Sequence, residues 1–294
     1  MRRSYLVGLI CANIQRSLSP ALHEDAFAAA GIAGHYHLID LDQLDRRADL
    51  ARLLEAIRLL GFAGINVTYP CKESILPLLD DVAADAAEIG AVNTVVIDPA
   101  GRTRGHNTDR GGFLAAFEST LGRAAVEGQA VLVVGAGGAG RAVAHALFDL
   151  GADSIVIYDK DRRRAKSFAD TLGGGVKKRR VTVASDVIEA IRAVAGAVNA
   201  TPVGMTGFPG QSIPSEALRS DMWIADVVYT PLETRLILAA RRRGCRVLTG
   251  GGMCVHQAAA AFRLFTGIEP DVSRMHRTFD ALCAKRDATG TAAG

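Results

Sequence analysis

The stretch AVLVVGAGGAG, residues 130–140, constrains the fold more than any other part of the 294-residue chain. Its first five residues are apolar and predict a buried strand, after which Gly135, Gly137 and Gly140 follow at G-x-G-x-x-G spacing. Apolar residues at helical spacing come next. Such glycines let a pyrophosphate approach the backbone, and the helix N-terminus offers N–H groups to it. The stretch predicts a dinucleotide-binding strand, turn and helix; an ordinary strand-to-helix turn is the alternative.

A carboxylate follows the next predicted strand, SIVIY, at Asp159, which lies 19 residues after Gly140. A carboxylate at this place can accept hydrogen bonds from an adenosine ribose and repel a 2′-phosphate, so it favours NAD over NADP. Lys160 and the arginines at 162–164 follow directly and could neutralise a phosphate, so NADP stays an alternative.

Short apolar runs alternate with helical patterns along most of the chain, which predicts two successive α/β units with mostly parallel sheets. The first unit is predicted over residues 1–112, and the second, a Rossmann dinucleotide-binding domain, over residues 113–252. Residues 73–90, ESILPLLDDVAADAAEIG, show a helical pattern within the first unit. The helical segment 253–294 is predicted to return and pack on the first unit.

The composition indicates a globular protein whose partners are small molecules. Hydrophobic residues make up 49% and charged residues 22%, far from the profile of a disordered chain. A net charge of +3 is too small to indicate nucleic-acid binding. The dense basic cluster KKRR, residues 177–180, precedes an apolar run, which favours a solvated loop and strand edge.

The cysteines and the N-terminal stretch favour a cytoplasmic protein. Five cysteines are scattered at positions 11, 71, 245, 254 and 283 without a C-x-x-C pair, so neither a disulfide framework nor a zinc site is predicted. The start, MRRSYLVGLICANIQ, has arginines before an apolar run, but the run is short and lacks a cleavage pattern. A first β-strand is therefore predicted instead of a signal peptide. The chain has no run of about 18 uncharged apolar residues, so no membrane span is predicted.

Polar residues at predicted strand ends of the first unit are candidates for substrate binding. Ser17 and Ser19 project to the same side of an extended segment, and Ser19 before Pro20 also fits the N-cap of the next helix. A helix N-terminus with two hydroxyls can bind a carboxylate, so both roles are compatible. Asn93 and the Asn-Thr-Asp run at 107–109 fit the ligand side of a sheet, although each taken singly also fits a turn former.

Lys72 stands in NVTYPCK, where the apolar pattern of a predicted strand stops at a proline turn. Oxidation of a secondary alcohol with NAD requires a proton acceptor within hydrogen-bonding reach of the hydroxyl, and the first unit offers few other ionisable side chains at a strand end. Lys72 is therefore a candidate general base, although a solvated surface lysine explains the residue at least as well on these grounds.

Eight motifs in this order resemble the shikimate dehydrogenase superfamily, namely SLSP, NVTYPCK, GAVNT, GHNTD, GAGGAG, NATPVGM, DVVYTPLET and GGGMCVHQAAAAF. The resemblance extends from about residue 7 to about residue 268. Asp159 and the segments NTVVID, FRLFTG and EPDVSRM look most like the bacterial NAD-preferring quinate/shikimate dehydrogenases. The resemblance implies an N-terminal α/β substrate domain, a Rossmann domain, and C-terminal helices that return to the first domain.

The resemblance also implies roles for the residues that match its motifs. Lys72 corresponds to the catalytic proton acceptor and Asp109 to its partner on the substrate hydroxyl, while Ser17 and Ser19 correspond to the carboxylate contacts. The full set of predicted substrate contacts is Ser17, Ser19, Thr68, Lys72, Asn93, Asp109, Tyr229 and Gln257. The predicted cofactor contacts are Gly135, Ala136, Gly137, Gly138, Ala139, Gly140, Asp159, Lys160, Arg164, Thr201, Met205, Val228 and Gly252. No metal is expected, and a homodimer stays open.

Two departures from the family pattern concern the substrate. The family often has G-x-P-I-x-H before the serines, where this chain reads CANIQR, and relatives that use quinate often carry threonine in place of Ser19. We therefore expect shikimate to be used better than quinate. The alternatives are an NADP-dependent biosynthetic shikimate dehydrogenase and a catalytically silent nucleotide-binding regulator, which the presence of both Lys72 and Asp109 disfavours.

Overall fold

The computed structural model arranges the chain in two α/β units and describes residues 4–12, 14–44, 49–174 and 179–290, with side chains as far as residue 286. The first unit contains the residues up to Thr108 and those from Val255 onward, and the second contains Asp109–Cys254. These boundaries lie within a few residues of the predicted divisions at 112 and 253. The predicted α/β fold class is confirmed.

Strands and helices alternate through the described residues. The strands are β1 (Ser4–Cys11), β2 (Ala33–Asp40), β3 (Gly64–Val67), β4 (Asp81–Val82), β5 (Thr94–Ile97), β6 (Thr103–His106), β7 (Ala130–Val134), β8 (Ser154–Tyr158), β9 (Arg180–Val183), β10 (Gly196–Asn199), β11 (Trp223–Asp226) and β12 (Arg246–Leu248). The helices are α1 (Ser19–Ala29), α2 (Leu50–Leu59), α3 (Ala84–Ile89), α4 (Asp109–Thr120), α5 (Gly138–Asp149), α6 (Arg162–Gly173), α7 (Val187–Ile191), α8 (Arg235–Arg242), α9 (Gly250–Thr266) and α10 (Val272–Gly290). The N-terminal strand predicted in place of a signal peptide is β1.

The sheet of the first unit has the strand order β2-β1-β3-β5-β6-β4. β1 pairs in parallel with β2 and β3, and β4 pairs in parallel with β6. β5 runs antiparallel to both β3 and β6, so this sheet is more mixed than predicted. The connection from β5 to β6 spans only residues 98–102, which is too short for the crossover that a parallel pair needs.

The helix predicted over residues 73–90 is wrong in its first half. Residues 76–78 form one short 3₁₀ turn, β4 follows, and α3 begins only at Ala84. Pro77 has no N–H to donate within a helix. Asp80 instead bonds to β6, because its N–H donates to Thr103 Oγ1 at 3.0 Å and its carboxylate accepts the N–H of Thr103 at 2.7 Å. The segment therefore joins the edge of the sheet.

The described strands of the second unit all pair in parallel, in the order β12-β11-β10-β7-β8-β9. Counted within the unit, this is the Rossmann order, which binds a dinucleotide at the carboxyl ends of the strands where the order reverses. Val131 and Val133 of β7 belong to one hydrophobic cluster, and Leu132 belongs to another. β7 is therefore buried on both faces, as its unbroken apolar run predicts. Residues 177 and 178 of the predicted basic loop lie outside the described residues.

The C-terminal helices complete the first unit, as predicted. The ring of Phe265 on α9 occupies the space that a side chain on Gly64 of β3 would need. On α10, the Arg274 guanidinium forms two hydrogen bonds, of 2.9 and 2.7 Å, with the carboxylate of Asp25 on α1. The sequence from Val255 onward thus packs on strands and helices formed by the first third of the chain.

His23 of α1 is buried where these elements meet. Its ring stacks on Tyr36 at a centroid distance of 4.6 Å and lies 6.2 Å from the Phe265 ring, and its Nδ1 has no hydrogen-bond partner. Burial lowers the pKa of His23 to about 3. The unfolded chain binds a proton here near the ordinary pKa of about 6.5, whereas the folded chain does not. The contribution of His23 to stability is therefore complete above about pH 6.5 and is lost as the pH falls toward 3.

We predict that protonation of His23 in the unfolded chain lowers the free energy of unfolding by up to about 1.4 kcal/mol for each pH unit below about 6.5. Urea unfolding at about pH 7 and about pH 5 measures the effect, and His23→Leu should unfold with a smaller pH dependence than the wild type. His37→Gln, at an exposed position of β2, is the control and should keep the wild-type dependence. Equal dependences for wild type and His23→Leu would contradict a buried neutral imidazole.

Candidate active site

The segment NVTYPCK leaves β3 through a turn that fixes the backbone at Lys72. Thr68 donates its N–H to the Ile10 carbonyl oxygen at 3.1 Å, and Cys71 donates its N–H to the Thr68 carbonyl oxygen at 2.8 Å. The carbonyl oxygen of Lys72 accepts the N–H of Val92 at 2.8 Å. The side chain of Lys72 is half-buried, so it is not the fully solvated lysine that the sequence left as an alternative.

A chain of hydrogen bonds crosses the first sheet from β2 to the end of β6. The Tyr36 hydroxyl donates to Asn66 Oδ1 at 2.9 Å, and Asn66 Nδ2 donates to Thr94 Oγ1 at 3.0 Å. Thr94 Oγ1 donates to Asn93 Oδ1 at 3.0 Å, and Asn93 Nδ2 donates to Thr108 Oγ1 at 2.8 Å. All five side chains are buried, so each bond satisfies a polar group that would otherwise destabilise the fold.

Two asparagines hold the chain just before Asp109. Asn93 Oδ1 accepts the N–H of Thr108 at 2.8 Å, and Asn107 Nδ2 donates to the carbonyl oxygen of Ala91 at 2.9 Å. Asp109 is 4% exposed and is the first residue of α4, where the helix dipole favours a carboxylate. Asn93 and Asn107 therefore brace the fold and are more than local turn formers.

The two predicted carboxylate-binding serines lie at the N-terminus of α1. The prediction that Ser19 caps this helix is wrong, because Leu18 occupies the N-cap position and Ser19 and Pro20 are the first two helical residues. Ser17 Oγ accepts the N–H of Ser19 at 3.2 Å and donates to Ser19 Oγ at 3.1 Å. The hydroxyl of Ser17 thus takes over the capping interaction. Both serines are partly exposed beside the positive end of the helix dipole, which suits an anion.

The predicted substrate contacts are divided between the units. Gln257 lies on α9 in the first unit, and Tyr229 follows β11 in the second; both side chains are half-buried. The first unit also contains Ser17, Ser19, Thr68, Lys72 and Asn93, and the second also contains Asp109. Hydrogen bonds join Ser17 to Ser19, while the Lys72 backbone is bonded to the residue that precedes Asn93.

The glycine-rich turn after β7 allows close approach to the backbone. Gly135 has a φ of +108°, and a Cβ on it would stand 2.9 Å from the Ala200 carbonyl oxygen. A Cβ on Gly140 would overlap the Gly135 carbonyl oxygen. α5 begins at Gly138 with Gly137 as its N-cap residue and no side-chain cap. The first N–H groups of this 12-residue helix can therefore bind an anion.

Asp159 follows β8 beside this turn. Its Oδ2 accepts the N–H of Ala136 at 2.8 Å, and its Oδ1 accepts a second backbone N–H at 2.9 Å. A carboxylate has about four acceptor positions, so Asp159 can still accept hydrogen bonds from a ribose. Lys160 and Arg164 are exposed, and Arg164 Nη2 lies 3.3 Å from the place of a Cβ on Gly137. The Asp159 carboxylate and the basic side chains of Lys160 and Arg164 thus lie at the same end of the turn.

The remaining predicted cofactor contacts lie around the carboxyl ends of β10, β11 and β12. Thr201 donates its hydroxyl to Asn199 Oδ1 at 2.7 Å, and Val228 donates its N–H to Asp226 Oδ1 at 3.0 Å. Met205 belongs to the loop after β10, and Gly252 belongs to the first turn of α9. The backbone at Thr201 and Val228 is held by Asn199 and Asp226, the buried polar side chains that end β10 and β11.

Sequence reasoning assigned no role to Asn66, Asn199 or Asp226, although the structure places each in the last two residues of a strand, inside a hydrogen-bond network. Burial raises the pKa of Asp226 to about 6, against hydrogen bonds that lower it. The signal that could have found these residues is a short polar side chain inside an otherwise apolar strand, as in GINV, GAVN and WIAD.

Comparison with known proteins identifies the family. Three protein-family models match the chain. Residues 9–95 match the family described as shikimate dehydrogenase substrate binding domain, residues 118–206 match shikimate / quinate 5-dehydrogenase, and residues 250–278 match the shikimate 5′-dehydrogenase C-terminal domain. A relative from Corynebacterium glutamicum, named quinate/shikimate dehydrogenase (NAD(+)), is 47% identical over 96% of this chain and 100% of its own length. The chain belongs to the shikimate dehydrogenase family. The predicted family is thus confirmed.

Two further family members bear on the cofactor. The crystal structure of quinate dehydrogenase from Corynebacterium glutamicum in complex with NAD matches with a TM-score of 0.86 and 45% identity, covering 95% of this chain and 99% of that one. A Streptomyces avermitilis protein named shikimate dehydrogenase (NADP(+)) is 48% identical over 92% of this chain and 94% of its own length. Overall identity therefore does not separate the relatives named for NAD(+) from those named for NADP(+).

The second unit fits NAD by its own geometry, since the turn at Gly135–Gly140 has no room for a Cβ at its first and last glycine and leads into an uncapped helix N-terminus. No three His, Cys, Asp or Glu side chains within the described ranges are arranged to hold a metal ion. None of the helices described is long and apolar enough to cross a membrane.

We predict that Gly140→Ala raises the dissociation constant for NADH by on the order of tenfold or more, because the methyl group displaces α5 from the turn that must receive the pyrophosphate. Titration of NADH fluorescence measures the constant, and circular dichroism checks that the variant is folded. Gly173→Ala is the control, since a Cβ at the end of α6 has no neighbour nearer than 3.6 Å. An unchanged NADH constant in folded Gly140→Ala would contradict this use of the turn.

Proposed function

We propose that this chain is an NAD-dependent dehydrogenase that reversibly oxidises a ring hydroxyl of shikimate, and also of quinate, to the 3-dehydro product. The observation that carries the proposal is Asp159, whose carboxylate accepts the Ala136 N–H of the glycine-rich turn, in a chain 47% identical to a quinate/shikimate dehydrogenase named for NAD(+). A carboxylate beside such a turn can accept hydrogen bonds from an adenosine ribose. The match with the NAD-bound quinate dehydrogenase structure supports the same cofactor and substrate class.

The proposal assigns the substrate carboxylate to Ser17 and Ser19. Their hydroxyls lie 3.1 Å apart at the N-terminus of α1, where the partial positive charge of the helix stabilises an anion. Hydroxyl groups of the ring, or the carboxylate, are assigned to Thr68, Asn93, Tyr229 and Gln257, which supply amide, hydroxyl and phenol groups. Asn93 can act as a fixed contact because its amide orientation is set by Thr94 and Thr108.

The reaction requires removal of a hydride from carbon and of a proton from oxygen. Bound NAD supplies the hydride acceptor. We assign the proton to the Lys72 side chain, which accepts it from the substrate hydroxyl, and we assign Asp109 to the same hydroxyl as a hydrogen-bond acceptor that orients it. In the reducing direction Lys72 returns the proton to the carbonyl oxygen. The half-buried position of Lys72 and the buried position of Asp109 support these roles.

The second candidate is an NADP-dependent biosynthetic shikimate dehydrogenase. Two observations favour it: the Streptomyces avermitilis NADP(+) relative is 48% identical to the chain, and exposed basic residues occupy positions 160 and 162–164. Against it, Asp159 would place a negative charge beside the 2′-phosphate, and its two backbone hydrogen bonds keep it next to the turn. Repulsion between the Asp159 carboxylate and the 2′-phosphate disfavours the binding of NADP.

We further propose a cytoplasmic location and leave a homodimer as a prediction about assembly. The location is supported by the five cysteines, which are buried and not joined by disulfides, as expected of a protein in a reducing compartment. Size-exclusion chromatography with light scattering at the concentration used for kinetics tests the dimer.

The function is tested by assaying shikimate and quinate with NAD and with NADP, in the wild type and in Asp159→Ser. We predict that the wild type prefers NAD and uses shikimate better than quinate, and that Asp159→Ser shifts the ratio of kcat/KM toward NADP by about tenfold, because a repelling charge is removed. Absence of turnover with either substrate would favour the catalytically silent regulator. An unchanged cofactor ratio in Asp159→Ser would assign the choice to the basic run instead.

We predict that Lys72→Ala lowers kcat by about 10² to 10⁴, as expected on loss of a general base, with little change in NADH binding. Stopped or continuous assay of NADH formation gives kcat, and NADH fluorescence gives binding. Lys166→Ala, which removes an exposed lysine of α6, is the control and should keep the wild-type rate. A Lys72→Ala rate within about threefold of wild type would refute the assigned role.

A further inference from the structure

Asp226 ends β11 and gathers three hydrogen bonds in the interior of the second unit. Its Oδ1 accepts from Asn199 Nδ2 at 2.9 Å and from the Val228 N–H at 3.0 Å, and its Oδ2 accepts from Thr234 Oγ1 at 2.7 Å. The residue is 2% exposed. Its three partners lie in different segments, so one carboxylate joins the end of β10, the loop after β11 and the start of α8.

Asn199 carries this connection into the loop after β10. Its Nδ2 also donates to the Val203 carbonyl oxygen at 3.0 Å, and its Oδ1 accepts both the N–H and the hydroxyl of Thr201, at 3.2 and 2.7 Å. The amide orientation is thus fixed from both sides, since Asp226 can only accept and the Thr201 N–H can only donate. Rotating the amide by 180° would place acceptor against acceptor at Asp226 and donor against donor at the Thr201 N–H.

The loop after β11 is held from a second direction. α9 begins at Gly250, where a Cβ would stand 2.5 Å from the carbonyl oxygens of both Val227 and Val228. The backbone at Val228 is therefore fixed between the Asp226 carboxylate and the first turn of α9. Thr234, the third partner of Asp226, also accepts the N–H of Ile237 at 3.2 Å and caps α8.

The strand order shows which half of a dinucleotide these loops face. β7, β8 and β9 form the half that carries the glycine-rich turn and Asp159, which is the adenosine side. β10, β11 and β12 form the other half, whose carboxyl ends receive the second nucleotide of a bound dinucleotide. Asn199 and Asp226 are the last residues of β10 and β11.

We propose that Asp226 is a positioning residue for the nicotinamide half of the cofactor site, acting through Asn199 and Thr234 on the loops after β10 and β11. The proposal rests on the proposed function, because it takes NAD as the cofactor. Asp226 itself need not touch the cofactor. It presents acceptors to three donors that would otherwise be buried without partners, and an apolar residue of similar size cannot do this.

The energetic cost of this carboxylate supports a positioning role. Burial outweighs the three hydrogen bonds and raises the pKa of Asp226 to about 6. A side chain that only filled space in the core would be more favourable as an apolar residue. The retained carboxylate is explained by the need to hold two loops and a helix start in one arrangement.

The test compares NADH with ADP, which occupies only the adenosine half. Dissociation constants are measured by NADH fluorescence and by calorimetry for ADP, in the wild type and in Asp226→Asn, whose amide places a donor against donors. We expect the NADH constant to rise by about ten- to a hundredfold, as misplacement of a positioned group does, and the ADP constant to change by less than about twofold. Trp223→Phe is the matched control, since it removes the hydrogen bond from Trp223 Nε1 to the Ala125 carbonyl oxygen at the opposite end of β11.

Thr234→Val, with Thr234→Ser as the conservative variant that should restore binding, gives a milder change if Asp226→Asn does not fold. A parallel rise of the NADH and ADP constants, or no rise in either, would overturn the positioning role and leave Asp226 as a structural brace. A wild type that binds ADP but not NADH would overturn the proposed cofactor and this inference together. The two failures are thus distinguished by the wild-type titration.

Discussion

Satisfying polar groups where buried strands end is the constraint on which both units depend. In the first unit Asn66 and Asn93 take this role, and in the second Asn199 and Asp226 do so. Each lies at or next to a junction between a strand and a loop, and each bonds to the backbone or hydroxyl groups of a neighbouring segment. The apolar clusters hold the sheets together, while these side chains decide where the loops lie.

Much of the fold could be predicted because it is encoded locally. The run from β7 to α5 carries its own strand, turn and helix signals, and the structure has the same order. The errors arose where a hydrogen bond that the sequence pattern does not reveal decided the local structure. Residues 73–80 resemble a helix, but Asp80 bonds to Thr103, which is 23 residues away. Ser19 has the sequence of an N-cap, but the hydroxyl of Ser17 already accepts its N–H.

The residues of the candidate site also fall into two groups, those that the sequence predicts and those that it does not. Lys72, Asp109 and Asp159 could be predicted from sequence because each stands in a motif, and the role of Asp109 follows from the family resemblance. Asn66 and Asp226 were not found, since their roles exist only through partners brought near by the tertiary fold. Relatives of nearly equal identity are named for different cofactors, so overall identity alone does not decide the cofactor.

The first unit takes its last two helices from the C-terminal end of the chain, which sets an order of events during synthesis. The second unit is complete on the ribosome before residue 255 is made, whereas His23 still lacks Phe262 and Phe265 beside it. At about 5–20 residues per second, the stretch from residue 255 to the end of α10 at residue 290 takes roughly 2–7 s to appear. For that interval the nascent protein lacks the aromatic side chains that cover His23 of α1 and Gly64 of β3.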